Sequence, residues 1–444
     1  MITMDERQRK TLEKIFRAGL SAVDPEEAVK TFVRRTGNQL YIGDRSYDLS
    51  NFRKTILVGA GKGTAPMAKA LEELLGEFLT AGCIVVKYGH GIDLRKTEVI
   101  EASHPIPDQA GVRGTRRILH HLQDCSLDDL VICVLSGGGS ALLPAPVDSI
   151  SLSQKQETTR LLLECGATID EINAVRKHLS QVKGGGLARA VSPATLAALI
   201  LSDVIDDRLD VIASGPTVPD GSTYRDCLQI VDKYELAEKL PAEVRKVLED
   251  GVSGRRPETA KGEDPIFSGG QNLIVGNNRA ALQAAEREAR AAGYESLLLS
   301  SRIAGEAREV AKVFAAIAKE IRDGGIPISA PACILAGGET TVTVHGTGKG
   351  GRSQELALSA AIALDGWDQI ALLSAGTDGT DGPTDAAGAF ADGLTCENAR
   401  RIGLVPLDYL SRNDSYSLFD QVGQLFNTGP TRTNVMDIIC MLVD

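Results

Sequence analysis

Continuous apolar runs recur along the first half of the chain, and several of them end in a cluster of glycines. Residues 55–58, 83–87 and 130–135 form such runs, and Thr195–Leu201 forms another. Apolar runs of this length without alternation predict strands that are buried on both faces, as in a parallel sheet. The chain therefore predicts at least four buried strands before residue 210.

Segments with helical periodicity separate these runs. Residues 5–20 predict a helix, another helix is expected to begin near Pro66, and a third carries the apolar stripe Ile172, Val175, Leu179 and Val182. This alternation of strands and helices predicts a doubly wound α/β sheet. In such sheets ligands bind beyond the carboxyl ends of the strands, where the glycine clusters of this sequence fall.

The pattern is interrupted once and then resumes. Residues 249–270 are polar, rich in Gly and Pro, and lack apolar periodicity, which indicates a boundary. A second α/β series follows. Its strands are predicted at residues 272–275, near 297, 333–336, 340–344 and 370–374, and its helices at 279–292 and 305–322. We therefore predict two domains, residues 1–255 and residues 265–444.

Composition and charge narrow the class of partner. The chain is 43% apolar and 24% charged, which is ordinary for a globular protein. Its net charge of −11 opposes nonspecific binding to nucleic acid or to anionic membranes. We expect a small-molecule partner, no nucleic acid and no membrane, and the sequence leaves the oligomeric state open, a homodimer included.

The cysteines and the first residues indicate a compartment. The eight cysteines show neither CxxC nor Cys/His spacing, and Met1 is followed closely by charged residues. No stretch reaches the roughly 18 apolar residues that a membrane span requires. We predict a cytoplasmic protein with reduced thiols.

Two glycine turns have the form of an anion site. A glycine turn that opens a helix presents backbone N–H groups and the positive end of the helix dipole to a phosphate or carboxylate. Neither turn matches the Walker A sequence. The candidates for phosphate or substrate binding in these turns are Gly61, Ser136, Gly137, Gly138, Gly139 and Ser140.

Charged residues beside the turns supply the remaining parts of a phosphoryl-transfer site. Such transfer needs cations, a metal ion and a group that orients the attacking hydroxyl. Asn173 and Lys177 share a helix face at i, i+4. The cationic candidates are Lys62, Lys177 and Arg352, and the acidic candidates for Mg²⁺ or for a hydroxyl proton are Asp203, Glu355, Asp378 and Asp381. Each also has a structural interpretation, since Asp and Gly favour turns and a helix face can simply be solvated.

The chain resembles the glycerate 2-kinase family, whose C-terminal domain is called MOFRL. The resemblance spans nearly the whole chain and rests on eight motifs in the same order: VGAGKGTAPMA, SHPIPD, LSGGGSALL, INAVRKHLSQVKGGGLA, LILSDVIDDRLDVIASGPTVPD, GGETTVTVHGTGKGGRSQELAL, SAGTDGTDGPTDAAGA and NTGPTRTNVMD. It implies a Rossmann-like N-terminal domain with a doubly wound parallel sheet, a distinct C-terminal α/β domain, and an active site in the cleft between them. It also implies transfer of the ATP γ-phosphoryl group to D-glycerate with Mg²⁺.

The resemblance ranks the candidate residues. It supports Lys62 and Arg352 as the residues that neutralise substrate and phosphoryl charge, and Asp203 as the residue that positions the glycerate hydroxyl. Asp378 or Asp381 is expected to assist metal or nucleotide binding. The supporting candidates are the turn at residues 136–140, Asn173, Lys177 and Glu355.

Two other functions remain open at this stage. Relatives of the family are often labelled hydroxypyruvate reductases, but the turn at Gly61 lacks a complete dinucleotide fingerprint and Val86-Lys87 stands where an acidic ribose ligand would follow. Because glycine turns bind phosphate without chemistry, a nonenzymatic sugar-phosphate sensor is the second alternative. The sequence leaves open the 2- or 3-position of transfer, the stereochemical preference and the nucleotide.

Overall fold

The structure is a computed structural model that describes residues 4–444. Its strands are β1 (Val33–Thr36), β2 (Gln39–Ile42), β3 (Arg45–Asp48), β4 (Lys54–Ala60), β5 (Leu79–Lys87), β6 (Thr97–Ala102), β7 (Asp129–Leu135), β8 (Thr195–Leu201), β9 (Gln271–Gly276), β10 (Glu295–Ile303), β11 (Ala332–Gly338), β12 (Ile370–Gly376), β13 (Gly388–Asp392), β14 (Leu425–Phe426) and β15 (Asp437–Val443).

The helices alternate with these strands. They are α1 (Glu6–Ser21), α2 (Pro25–Phe32), α3 (Thr64–Leu75), α4 (Gln109–Leu122), α5 (Gly139–Leu142), α6 (Leu152–Glu164), α7 (Ile169–His178), α8 (Gly186–Val191), α9 (Tyr224–Lys233), α10 (Ala242–Val252), α11 (Asn278–Ala291), α12 (Ala307–Gly324), α13 (Arg352–Ala363), α14 (Thr395–Arg401), α15 (Pro406–Ser411) and α16 (Ser415–Val422). Within residues 4–444, no helix combines the length and the apolar character that crossing a bilayer demands.

The chain packs as two compact units whose limits differ from the predicted ranges. Pro25–Val275 forms one unit, and Gly276–Asp444 forms the other together with the described residues that precede Pro25. Helix α1 belongs to the second unit because its apolar stripe, which includes Leu12, Ile15 and Phe16, is fully buried there, against α11 and β15 among others. This long-range packing has no signal in the local sequence pattern.

The unit Pro25–Val275 is built on a parallel sheet in the order β6-β5-β4-β7-β8-β9. Counted from β4, this is the strand order 3-2-1-4-5-6 of a Rossmann fold, and the predicted doubly wound parallel sheet is confirmed. Strand β9 was predicted to start the second domain, but it forms the edge of this first sheet. Strand β9 lies beside β8, and the polypeptide enters the second unit only at the end of β9.

Four helices of the same unit form an apolar cluster of their own. Helices α6, α7, α9 and α10 enclose a separate apolar cluster that includes Ile172, Val175 and Leu179. The hydroxyl of Thr168 accepts the N–H of Glu171, and the Glu171 carboxylate accepts the N–H of Thr168 in return. This capping box fixes where α7 begins.

The other unit has a mixed sheet in the order β10-β11-β15-β12-β13-β14. Strand β15 runs antiparallel between β11 and β12, so that its first residue, Asp437, lies opposite both Gly338 and Gly376. Asp437 therefore stands at the edge where β11 and β12 end. The prediction of a distinct C-terminal α/β domain is confirmed.

The prediction of a strand at residues 340–344 is wrong. Only Thr341 forms an isolated bridge, to Glu306, and the rest of the segment is irregular. Side chains replace the strand ladder here, since the Glu306 carboxylate accepts the N–H of Thr343 and the Asn413 side chain accepts the N–H of His345. This segment, in which apolar and polar residues alternate, is thus a loop, and side chains accept hydrogen bonds from its backbone N–H groups one at a time.

Candidate active site

The first glycine turn joins β4 to α3. Gly61 has φ +145°, and a Cβ atom there would lie 2.2 Å from the Ser136 hydroxyl, so that only glycine fits. The turn is held by hydrogen bonds from the Gly61 N–H to Val85 O at 3.1 Å and from the Lys62 N–H to Gly137 O at 2.8 Å. The Lys62 backbone is therefore fixed against the second glycine turn.

The second glycine turn, which comprises residues 136–138, joins β7 to α5. The buried Ser136 hydroxyl accepts the N–H of Gly63 at 2.8 Å. Gly138 has φ +85°, and a Cβ atom there would lie 3.0 Å from the His104 ring and 3.5 Å from Cγ of Lys62. The turn thus brings Lys62 and His104 to one partly exposed glycine.

The two turns meet at the topological switch point of the sheet. Strands β4 and β7 are neighbours, with Ala60 opposite Leu135, and their connections leave in opposite directions along the sheet. Ligands of doubly wound sheets bind in the crevice at this point. The glycine turns therefore occupy the position at which this fold binds its ligands.

Asp203 lies at the same edge of the sheet. Strand β8 is parallel to β7, with Ile200 opposite Leu135, and Asp203 follows β8 by two residues. Its side chain is partly exposed. Asp203 therefore stands at the sheet edge that also carries the second glycine turn.

A chain of hydroxyl groups links the second turn to α7. The Ser140 and Ser214 hydroxyls are 2.7 Å apart, and the Ser214 hydroxyl donates to the buried Asn173 side chain at 3.2 Å. Ala213 and Ser214 have φ +50° and +60°, a conformation that costs free energy in residues other than glycine and that clusters at functional sites. Asn173 therefore acts here by fixing the geometry around Ser140.

Lys177, the other candidate on α7, is held in an ion pair. Its ammonium group donates to the fully buried Asp220 carboxylate at 3.2 Å, and Asp210 lies 3.9 Å away. Burial raises the pKa of Asp220, but the Lys177 charge and the Ser222 hydrogen bonds outweigh burial and leave that pKa below its ordinary value. Lys177 thus already has an anionic partner in the fold.

Three cationic residues in this region were missed by the sequence analysis. Lys183 is buried, and its ammonium group donates to Ser140 O at 2.8 Å and to Ala213 O at 3.4 Å. Arg176 and Lys155 are placed nearby. The available signals were the position of Lys183 directly before the glycine run at 184–186 and the spacing of Arg176 three residues after Asn173.

A cavity of about 170 Å³ lies beside α7 and α8. Lys177, Lys183 and Arg189 contribute to its walls, together with Glu258. Two of the buried lysines of this region therefore border space that a small molecule can enter.

In the second unit, Arg352 stands at the first position of α13. Its guanidinium group binds both oxygens of Asp437, at 2.6 and 2.9 Å, and one oxygen of Glu339 at 2.6 Å. Burial lowers the pKa of Arg352, but Asp437 and Glu339 outweigh burial and raise that pKa. The motifs that contain Asp437 and Glu339 were recognised in the sequence, but these two residues were not singled out.

The remaining acidic candidates differ in what they contact. Both oxygens of the buried Asp381 accept backbone N–H groups at the start of α13, from Ser353 at 3.1 Å and from Gln354 at 2.8 Å. Burial and the negative charge of Asp437 raise the pKa of Asp381 to about 7. Asp381 therefore caps the helix that carries Arg352.

Asp378 and Glu355 complete the acidic set. The side chain of Asp378 accepts the N–H of Thr380 at 3.1 Å, and its carboxylate and that of Asp437 both border Gly376. Glu355 is buried and accepts hydrogen bonds from Arg308 at 2.7 Å and from Asn413 at 2.9 Å. Asp378 thus belongs with Arg352 and Asp437, whereas Glu355 joins α13 to its neighbours.

The structure therefore places the sequence-predicted residues in two groups, one in each unit. Lys62, Asp203 and the two glycine turns lie at one edge of the parallel sheet, and Arg352, Asp378 and Asp381 lie at one edge of the mixed sheet. The expectation that both groups line a single cleft stays a prediction.

Comparison with known proteins identifies relatives over the full length of the chain. Residues 11–249 match a domain of unknown function, DUF4147, and residues 332–437 match the MOFRL family. A D-glycerate 2-kinase from Thermotoga maritima is 42% identical, over 99% of this chain and 99% of its own length. The solved structure of glycerate kinase from Thermotoga maritima has a TM-score of 0.87 and 41% sequence identity, and covers 99% of this chain and 100% of that chain.

A relative with another name is similar to the same extent. This protein, from Agrobacterium vitis, is 41% identical over 99% of this chain and 95% of its own length, and its designation as a hydroxypyruvate reductase is provisional. The name alone therefore does not favour a reductase.

Proposed function

This chain belongs to the glycerate kinase family, and we propose that it transfers the γ-phosphoryl group of ATP to the 2-hydroxyl of D-glycerate, giving 2-phosphoglycerate and ADP. The observation that carries the proposal is the pair of glycine turns at the switch point of the parallel sheet, with Lys62 fixed between them. Backbone N–H groups and a lysine in this arrangement suit phosphate oxygens.

The roles of the charged residues follow from what the reaction needs. The substrate hydroxyl oxygen forms a bond to the γ-phosphorus as the bond from that phosphorus to the bridging oxygen of ADP breaks. Asp203, partly exposed at the edge of the sheet, orients the hydroxyl and accepts its proton. Lys62 and Arg352 balance the charge on the phosphoryl oxygens and on the substrate.

The proposal includes Mg²⁺, and one group of side chains has suitable chemistry for it. The Asp378 and Asp437 carboxylates both border Gly376, at 3.5 and 3.4 Å from an ideal Cβ position, and Mg²⁺ is typically bound by one or two carboxylates together with substrate phosphates. Among residues 4–444, no set of three His, Cys, Asp or Glu side chains is arranged to hold a metal alone. Both oxygens of Asp381 accept backbone N–H groups at the start of α13, and both oxygens of Asp437 accept the guanidinium group of Arg352, so that either residue would exchange these contacts on binding the ion. When bound, the ion supplies charge neutralisation on the transferred group.

We also place the protein in the cytoplasm. All eight cysteines lie in the described part of the chain and are free thiols, and free thiols are favoured in a reducing compartment.

The direct rival is reduction of hydroxypyruvate with NADH or NADPH. We expect ADP release that depends on D-glycerate, followed in a coupled assay, and no oxidation of either nicotinamide cofactor with hydroxypyruvate. Rapid cofactor oxidation without ADP release would instead support the reductase. Binding of phosphate compounds with neither activity would support a sensor.

A further inference from the structure

Helix α7 presents a second polar side chain on the face that reaches the Ser136–Ser140 region. Asn173, which is bonded to Ser214, is followed one helical turn later by Arg176, and residues three apart lie on the same face of a helix. The Arg176 side chain is partly buried. Arg176 is thus close to the hydroxyl chain that leads to Ser140.

Arg176 lacks an anionic partner in the fold. Within residues 4–444, no side chain or carbonyl group forms a hydrogen bond or an ion pair with its guanidinium group, and burial lowers its pKa. A guanidinium group carries five N–H donors. Partial burial of these donors without a partner is unfavourable, and an anionic ligand would remove that cost.

Two buried lysines lie close to Arg176 and have no carboxylate partner either. Lys155 is 6% exposed and donates to Leu179 O at 3.0 Å and to Arg176 O at 3.4 Å. Lys183 is 2% exposed and donates to Ser140 O and Ala213 O. In the described chain, the bonds of both ammonium groups go to backbone carbonyls alone.

The three cations act on one another. Burial lowers the pKa of Lys155 to about 7 and that of Lys183 well below its ordinary value, and the charge of Arg176 lowers both further. Burial and the charge of Arg176 thus favour the neutral forms of the two lysines while no anion is bound. An anion bound beside these groups would favour their charged forms.

We propose that Arg176 binds the carboxylate of the three-carbon acid substrate and sets the preference of the enzyme for an acid, with Lys155 and Lys183 supplying positive charge behind it. The proposal rests on the proposed function. The planar guanidinium group can bind both oxygens of a carboxylate at once. Lys62 and the glycine turns remain for the phosphate groups of ATP, and Lys183 connects the two regions through Ser140.

The test compares Arg176→Met with the unchanged full-length protein in steady-state kinetics. The substrates are D-glycerate and D-glyceramide, in which a neutral amide replaces the carboxylate. We expect the KM for D-glycerate to rise about 100-fold, the size of effect expected when a charge-assisted pair is lost. The KM for ATP and the kcat/KM for D-glyceramide should stay within about threefold of the values for the unchanged protein. A threefold change corresponds to less than half of the free energy of a tenfold change.

Two controls separate recognition from folding. Arg160→Met removes an exposed arginine on α6 that pairs with Glu157 and Glu164, and it should leave all kinetic constants unchanged. Arg176→Lys keeps the charge but loses the two-oxygen geometry, and we expect an intermediate rise in the KM for D-glycerate of about tenfold. This second variant also serves if Arg176→Met does not fold.

The outcomes that overturn the proposal are distinct. A rise in the KM for ATP with an unchanged KM for D-glycerate would assign Arg176 to a phosphate group instead. Equal losses with D-glycerate and D-glyceramide, or no loss with either, would leave Arg176 a structural residue.

Calorimetry without ATP separates this proposal from the proposed function. D-Glycerate should bind the unchanged protein and should bind Arg176→Met about 100-fold more weakly, whether or not transfer to it is then observed. Equal affinity of the two proteins for D-glycerate would overturn the assignment of Arg176. Failure of the unchanged protein to phosphorylate D-glycerate would count against the proposed function alone.

Discussion

At the scale of single residues, Arg352 is distinguished by the two carboxylates it holds together. Its guanidinium group binds Asp437 through two nitrogens and Glu339 through the third. Lysine keeps the charge but cannot reproduce this fork. We expect Arg352→Lys to lower kcat about 100-fold with little change in stability, as measured by steady-state kinetics and thermal unfolding.

The matched control is Arg400→Lys. Arg400 also binds both oxygens of a carboxylate, that of Asp365, at 2.7 and 2.9 Å, but it is exposed on α14. Its replacement should leave kcat unchanged. If the two variants had equal activity, Arg352 would be an ordinary structural ion pair.

The sequence identified residues whose role follows from their neighbours in the chain. It missed residues whose role depends on ion pairs between residues that are distant in sequence. Lys62 stands between glycines in a turn, so that its backbone placement follows from sequence alone. Lys177 was selected as a candidate because it lies four residues after Asn173, whereas Arg176 was not singled out. The choice between them depends on Asp220, which is 43 residues away and pairs with Lys177, and no local pattern reports such a contact.

At the scale of elements, the turn between β4 and α3 depends on the absence of a side chain at Gly61. Alanine there would need φ near +145° and would bring Cβ within 2.2 Å of Ser136 Oγ. We expect Gly61→Ala to lower the free energy of unfolding by about 3 kcal/mol or more, because backbone strain and overlap add. Denaturant unfolding measures this change.

Gly37 provides the comparison for that variant. It has φ +60° in the turn between β1 and β2, and a Cβ atom there would meet nothing within 4 Å. Gly37→Ala should cost only about 1 kcal/mol, from backbone conformation alone. Similar costs at the two positions would show that the contact with Ser136 does not determine the turn.

The start of α13 is expected to make stability depend on pH through Asp381. Because the folded-state pKa of about 7 lies above the ordinary value of 3.8, the folded protein binds a proton that the unfolded chain releases. Stability from this group is therefore present at low pH and is lost as pH rises towards about 7. We expect the unchanged protein to lose about 3 kcal/mol more than Asp381→Asn between about pH 4.5 and pH 7.5.

Urea unfolding of both proteins across this pH range provides the measurement. The difference between the two curves isolates Asp381, since the other titrating groups are common to both. Parallel curves would mean that Asp381 is ionised throughout and that its carboxylate is fully stabilised by α13.

The sequence pattern predicted the buried elements better than the exposed ones. Thr195–Leu201 was predicted with its observed limits because the six consecutive apolar residues that follow Thr195 favour a buried element. Residues 340–344 alternate as a half-exposed strand would, but Glu306 and Asn413 bind their backbone instead. Such side chains are distant in sequence, and their effect is invisible to periodicity.

At the scale of the whole molecule, α1 is expected to stabilise the unit that contains Gly276–Asp444. Phe16 is fully buried and packs edge-on against Phe426, with ring centroids 5.2 Å apart. Phe16→Ala should cost about 3 to 5 kcal/mol. Hydrogen exchange should accelerate within residues 276–444 more than within residues 25–275.

Leu71→Ala is the matched variant in the other unit. Leu71 is equally buried on α3, so that its loss should accelerate exchange within residues 25–275. Uniform acceleration by either variant would contradict the division into two units.

The sequence predicted two domains but could not give their limits. The pattern places a break at residues 249–270, yet β9 lies beyond that break and completes the first sheet, and α1 lies at the opposite end of the chain from the unit it joins. The unit to which β9 or α1 belongs is decided by the sheet edge or the helix face against which that element is buried. That choice depends on the assembled fold.

The central claim is phosphoryl transfer to the 2-hydroxyl of D-glycerate, and phosphorus NMR tests it most directly. The protein is incubated with ATP, Mg²⁺ and D-glycerate, and the product is identified by its phosphorus resonance. We predict 2-phosphoglycerate and ADP, with loss of the product signal in Lys62→Ala, whose folding is checked by circular dichroism. A 3-phosphoglycerate signal, the absence of any phosphoglycerate from the folded protein, or full activity in Lys62→Ala would contradict the account.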